Sequence, residues 1–89
     1  MEGQVHVYAV WSDQADRFYI GTTEDIEKRL AQHNAGLSKW TKRGIPWRLA
    51  WSRPFPTRTE ALKFERLLKR QKGGAGFFRL TGLDPGAYR

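Results

Sequence analysis

Apolar and polar residues near the start of the chain alternate with the period of an extended strand. In Val5-His6-Val7-Tyr8-Ala9-Val10-Trp11, residues Val5, Val7, Ala9 and Trp11 fall on one face, and His6, Tyr8 and Val10 on the other. Ser12–Asp16 is polar turn material, and Arg17-Phe18-Tyr19-Ile20-Gly21 reads as a second strand, closing a β-hairpin. If Tyr8 and Tyr19 stand opposite each other, both rings project from one face; the loop length permits that register without imposing it.

The period then changes to that of a helix. Ile26, Arg29, Leu30 and His33 follow the i, i+3, i+4, i+7 rule and predict a helix from Thr22 to Asn34. Thr22 or Thr23 is its expected N-cap, with Asp25 completing a Thr-x-x-Asp pattern, and Gly36 is its stop. Residues 35–46 read as a basic loop. Trp47-Arg48-Leu49-Ala50-Trp51 alternates as a third strand, which Pro54 and Pro56 are expected to end. Thr57-x-x-Glu60 is a capping box that opens a second helix through about Gln71. Ala61, Phe64 and Leu68 form its apolar stripe, and Glu65 falls at the edge of that stripe. Lys72-Gly73-Gly74-Ala75-Gly76 breaks the helix. Phe77, Phe78 and Leu80 are expected to fold back onto the core, with a turn at Asp84-Pro85-Gly86 and a frayed tail from about residue 82.

Length and composition bound what such a chain can be. Eighty-nine residues make one domain, 1–89, because a chain this short cannot bury two cores. With 39% apolar and 28% charged residues it suits a globular fold. The absence of cysteine excludes disulfides, thiolate metal sites and a cysteine nucleophile. No apolar run approaches the roughly 20 residues of a membrane span, and Met1-Glu2-Gly3-Gln4 leads straight into the first strand with no leader, so the expected compartment is the cytoplasm and no membrane partner is expected.

Charge changes the picture more. Net charge is +7, unevenly spread. Residues 1–27 hold six acids and a single base, Arg17; residues 39–72 hold eleven bases against two acids, Glu60 and Glu65. Such a concentration repels itself unless a polyanion is the partner, which points to nucleic acid. Lys39, Lys42, Arg43, Lys69, Arg70 and Lys72 are the candidate binding cations. The sequence has no HExxH, P-loop or zinc-finger spacing. Gly73-Gly74-x-Gly76 is not a dinucleotide fingerprint, because it ends a helix instead of opening one after a strand.

Taken together, the polar residues on the predicted elements suit a phosphodiester site, which needs a group to take a proton from water, a cation at the developing charge and a metal at the leaving oxygen. Tyr8 or Tyr19 is the candidate base, although a free phenol, with pKa about 10, needs help from a cation or a metal-bound water. Arg29 is the candidate cation, and His33 the candidate support for water or phosphate. Glu65 is the candidate ligand for Mg²⁺, which commonly binds through one carboxylate while keeping several waters.

The pair His6-Val7-Tyr8 and Tyr19-Ile20-Gly21, Arg29 ten residues after the second Tyr, His33 four further on, and Glu65 in the next capped helix resemble the motif order of the GIY-YIG nuclease superfamily. The stretch Tyr19-Ile20-Gly21-Thr22-Thr23-x-Asp25-x-x-x-Arg29-Leu30-x-x-His33-Asn34-x-Gly36, then Thr41-Lys42-Arg43 and Glu60-Ala61-Leu62-Lys63-x-Glu65, is similar to small stand-alone bacterial members. The resemblance covers residues 4–72. It implies an α+β fold, a three-stranded antiparallel sheet flanked by helices, and metal-dependent cleavage of DNA, with Mg²⁺ as the ion and Mn²⁺ as the alternative. Tyr8, Tyr19, Arg29, His33 and Glu65 map onto family active-site positions, and Gly21 onto the small residue of the second tripeptide, where close backbone approach is wanted. Of the two tyrosines, Tyr8 is favoured as base. Three departures stand out: His6 replaces the usual glycine and is expected to point towards the site; Thr22 stands where many members have lysine, leaving Lys42 or Lys69 to substitute; and the Gly-rich 73–76 segment replaces a basic helical end. With no recognition domain in evidence, low sequence specificity and a structured or single-stranded DNA substrate are expected. The rival reading is a nucleic-acid-binding module without useful catalysis on the same scaffold.

Overall fold

The computed structural model describes residues 4–72 and 74–88; Met1–Gly3, Gly73 of the Gly-rich break and Arg89 lie outside the described residues. Three strands, β1 (Val5–Ser12), β2 (Arg17–Thr23) and β3 (Trp47–Phe55), form one antiparallel sheet in the order β2-β1-β3. Three helices flank it: α1 (Ile26–Asn34), α2 (Arg58–Gln71) and α3 (Ala75–Thr81). This is the α+β architecture expected from the sequence.

The central strand explains the two-layered packing. The odd-numbered residues Val5, Val7, Ala9 and Trp11 join Phe18, Ile20 and Phe55 under Ala61 and Leu68 of α2 and Phe77 of α3. The even-numbered Tyr8 and Val10 pack instead with Trp47, Tyr19, Leu30 of α1 and Ile45. β1 is therefore covered on both faces, and its alternation separates two cores, not a core from solvent. β3 pairs with β1 through a register shift between Ala9 and Val10. It runs past Pro54 to Phe55 rather than ending at the prolines, which an edge strand tolerates because it needs no second ladder partner.

Several boundaries differ from expectation. β2 continues to Thr23, which pairs with His6, so α1 cannot start at Thr22. Its N-cap is Asp25, whose carboxylate accepts from the Lys28 N–H at 3.0 Å; Thr23 Oγ1 accepts from the Asp25 N–H one step earlier. At the other end the chain turns through Gly36 at φ +79°, a left-handed conformation that glycine adopts without penalty. Thr57 caps α2 as expected, accepting from the Glu60 N–H at 3.2 Å. The Gly-rich break leads into α3, a helix the sequence pattern does not announce: it buries Phe77 and packs Phe78, while Leu80 stays exposed. Past Gly82, in the segment read from sequence as a fraying tail, Leu83 and Tyr88 lie against the core, with the Tyr88 ring 5.3 Å from Trp11 and 5.0 Å from Phe18. No helix among the described residues is long and apolar enough to cross a membrane.

Candidate active site

The site is built on the even face of β1 and its hairpin partner. Tyr8 pairs with Gly21, and Tyr19 with Val10, so the two tyrosines share a face but sit diagonally, not opposite as the simplest hairpin register has it. A Cβ added at Gly21 would lie 2.6 Å from Tyr8 Oη and 2.8 Å from its Cζ. The close approach at Gly21 is thus that of the Tyr8 phenol itself. Gly21→Ala is expected to cost about 1–3 kcal/mol through overpacking and to displace the Tyr8 hydroxyl, seen as a lowered urea midpoint together with lost activity.

Tyr8 is almost wholly buried, and its hydroxyl meets His33 Nε2 at 3.0 Å. His33, on the last turn of α1, is fully buried, and its Nδ1 meets Thr41 Oγ1 at 2.7 Å. Thr41 belongs to the 35–46 loop and is buried as well; its hydroxyl faces the Ser38 carbonyl, and its own carbonyl accepts from the Trp47 indole N–H at 2.7 Å. Asn34 clamps the same region by bonding both backbone polar groups of Trp47, accepting at 2.6 Å and donating at 2.9 Å. The sequence pattern assigns Thr41 and Asn34 no role although both lie in the motif stretches, because nothing local ties Thr41 to His33 or Asn34 to Trp47.

The electrostatics follow from this burial. Burial raises the Tyr8 pKa above its ordinary 10.0; Arg29 pulls it back by hydrogen bond and charge, while Tyr19 and Glu65 push it up. Burial acts to lower the Arg29 pKa, but Tyr8 and then Tyr19 outweigh it, so the guanidinium stays charged. Arg29 also donates to Gln32 Oε1 at 3.0 Å, which braces the fork. Burial, and then Arg29, lower His33 from 6.5 to about 4, so its imidazole is neutral at neutral pH. The unfolded chain takes up this proton below pH 6.5, and the folded one not until about pH 4. Stability is therefore lost as pH falls through that window, by about 3 kcal/mol in all. Urea unfolding at steps from pH 7 to pH 4 checks this, and His33→Gln is expected to flatten the slope.

Glu65, on α2, meets the β2 edge strand at Thr22, the partner of Val7, and its charge acts on Tyr8 from there. Thr22 donates its hydroxyl to Glu65 Oε1, and Lys69, one turn on, places Nζ 2.8 Å from Oε2. The carboxylate's side chain is only 16% exposed. Of the two lysines expected to replace the missing cation at position 22, Lys69 is the one that contacts Glu65, the carboxylate Thr22 also bonds. His6 shares the Tyr8 face; its Nδ1 is buried with no hydrogen-bond partner among the described residues. The six candidate nucleic-acid cations do not form one cluster. Lys39, Lys42 and Arg43 are exposed on the loop that covers the α1 side, whereas Lys69, Arg70 and Lys72 are exposed at the end of α2, on the other side of the sheet.

A family model of the GIY-YIG catalytic domain matches residues 4–76. The chain belongs to the GIY-YIG family. Among similar GIY-YIG relatives, a UPF0213 protein of Streptococcus pneumoniae is 43% identical over 56 residues, 62% of this chain and 57% of the relative. A UPF0213 protein of Bacillus licheniformis is 37% identical over 71 residues, 79% of this chain and 73% of the relative. A structure-specific endonuclease subunit SLX1 of Meyerozyma guilliermondii is 40% identical over 88 residues, 84% of this chain and 30% of that longer protein. The match thus spans little more than half the length of the Streptococcus relative. These findings place the chain in a nuclease family.

Proposed function

We propose that this GIY-YIG domain is a divalent-metal-dependent endonuclease that hydrolyses DNA phosphodiester bonds with low intrinsic sequence specificity. The observation that carries the reading is the buried line Tyr8–His33–Thr41, with Arg29 and Glu65 both close enough to move the Tyr8 pKa. A structural tyrosine needs neither the guanidinium nor the carboxylate.

The hydrogen-bond directions suit a proton relay. Thr41 donates towards Ser38 O, so its oxygen accepts from His33 Nδ1–H; Nε2 then carries the lone pair and accepts from Tyr8 O–H. Because burial disfavours tyrosinate, Tyr8 acts as base without ionising beforehand. The attacking water gives its proton to Tyr8 Oη while the Tyr8 proton passes to His33 Nε2. Negative charge building on phosphorus beside Arg29 offsets the charge and burial that otherwise keep His33 neutral. Arg29 and the half-buried Tyr19 hydroxyl hold the phosphate oxygens.

Among the described residues no group of three His, Cys, Asp or Glu surrounds a possible ion. The donors present still fit Mg²⁺, because Glu65 offers a hard carboxylate oxygen and the ion keeps most of its waters. Glu65 would hold it, exchanging the Lys69 contact for the ion, and Thr22 would keep the carboxylate oriented. Bound there, the ion supplies charge stabilisation at the leaving oxygen.

Structured or single-stranded DNA is the proposed substrate; the name of the SLX1 relative, a structure-specific endonuclease subunit, supports the structured alternative. The test is cleavage of plasmid, linear duplex, single-stranded and branched DNA, and RNA, in Mg²⁺, Mn²⁺ or EDTA. Cleavage is expected in either ion and none in EDTA. In EDTA, with about five phosphates neutralised, log K should fall against log[salt] with a slope of about −4. A flat salt response or metal-independent cutting would contradict the reading.

A further inference from the structure

Trp40 is 83% exposed and Leu37 72% exposed, on the loop that joins α1 to β3. Single exposed apolar residues are ordinary on protein surfaces. Trp40 differs in how it is held and in what surrounds it. The other tryptophans are packed: Trp11 and Trp47 are buried, and Trp51 stacks on Phe64 at 6.0 Å. The loop beneath Trp40 is pinned on both sides. Ser38 and Thr41 are buried, the Thr41 N–H donates to the Ser38 carbonyl at 3.2 Å, and the Gly44 N–H donates to the Thr41 carbonyl at 3.0 Å. The outward position of Trp40 is therefore imposed by its neighbours and is not slack in the chain. Lys39, Lys42 and Arg43 are exposed on the same loop, with no acid between positions 35 and 46. Next to Trp40, Thr41 meets His33, which meets the Tyr8 hydroxyl.

We propose that Trp40 is a stacking platform for an unpaired nucleobase next to the phosphate being cleaved, with Lys39, Lys42 and Arg43 holding the flanking backbone. An exposed indole among cations suits single-stranded nucleic acid, because every base offers a π-face while the phosphates need only charge. A fully paired duplex keeps its bases stacked on one another and gives the indole no face to cover. The loop thereby selects single-stranded or locally opened substrates over intact duplex. Its rigid mounting keeps the ordering cost of stacking small, and the Thr41–His33–Tyr8 line ties the loop to the site. This deepens the nuclease reading and rests on it.

The experiment measures affinity in EDTA, at one salt concentration, for a labelled single-stranded oligonucleotide and a blunt duplex of the same length, with wild type, Trp40→Ala and Trp40→Tyr. Both variants should melt like wild type, since the side chain packs on little. Trp40→Ala is expected to weaken single-strand binding roughly 5- to 150-fold and duplex binding less than about twofold. Trp40→Tyr should keep most of the affinity. Intrinsic tryptophan fluorescence should be quenched when wild type binds the single strand and not when Trp40→Tyr does. Equal losses on both substrates, no loss on either, or a Trp40-dependent affinity for anionic phospholipid vesicles with single-strand affinity unchanged would overturn the proposal. The chelator keeps cleavage out of the measurement. A catalytically silent wild type would leave these affinities readable, and a failed stacking test would leave the roles of Tyr8 and Glu65 standing.

Discussion

Tyr8→Phe is expected to lose about 10²–10⁴-fold in cleavage rate, the usual contribution of a positioned general base, while the domain remains folded. The swap removes one hydroxyl and keeps the ring that packs with Val10 and Trp47 in the second core. It also leaves His33 Nε2 without its partner in a fully buried position. A stability loss of about 1–3 kcal/mol is therefore expected alongside the rate loss. The two effects separate by measuring single-turnover cleavage at a temperature well below the variant's melting point. A rate near wild type would move the base to Tyr19 or to a metal-bound hydroxide.

Glu65→Gln is expected to abolish cleavage in Mg²⁺ at little cost to the fold. Glutamine keeps an oxygen to accept from Thr22 and loses only the ion pair with Lys69. Lys69 is about half exposed but the carboxylate only 16%, so the pair is expected to contribute about 1 kcal/mol, the upper end for surface pairs. If Glu65 serves only to neutralise Lys69, activity in the variant should be close to normal. If Glu65 is a metal ligand, the variant lacks the carboxylate that would hold the ion. DNA affinity in EDTA should stay equal or rise slightly, because a negative charge facing phosphate has gone. Cleavage above about a tenth of the wild-type rate, a barrier change of only about 1.4 kcal/mol, would rule out the ligand role.

Much of this arrangement is legible in the sequence where it depends on local periodicity. The alternation through Val5–Trp11 separates the two faces of β1 correctly, and Thr57-x-x-Glu60 marks the start of α2. Glu65 is conspicuous for the right physical reason: a carboxylate at the edge of an apolar stripe needs a partner, and the partners are Thr22 and Lys69. What escapes is set by contacts distant in sequence. Pairing of Thr23 with His6 carries β2 past both candidate threonine caps and hands the cap to Asp25. The diagonal placement of Tyr8 and Tyr19 depends on hairpin register, which the alternating pattern alone does not choose. α3 forms because Phe77 finds the core beside Phe18, a contact that outweighs its glycine-rich lead-in. Thr41 acquires its part only when the loop folds over His33. The charge run, legible as a total, hides that its cations lie on two sides of the sheet.

The central claim is that Tyr8 and Glu65 belong to one catalytic site for phosphodiester hydrolysis. Single-turnover cleavage of single-stranded DNA in Mg²⁺ by wild type, Tyr8→Phe, Glu65→Gln and the double variant tests it most directly. Groups that act as a unit are strongly non-additive, so the double variant should be no slower than the slower single variant, and all three should fall at least about a hundredfold below wild type. Singles that keep wild-type rates, or losses that multiply in the double variant, would contradict a shared site.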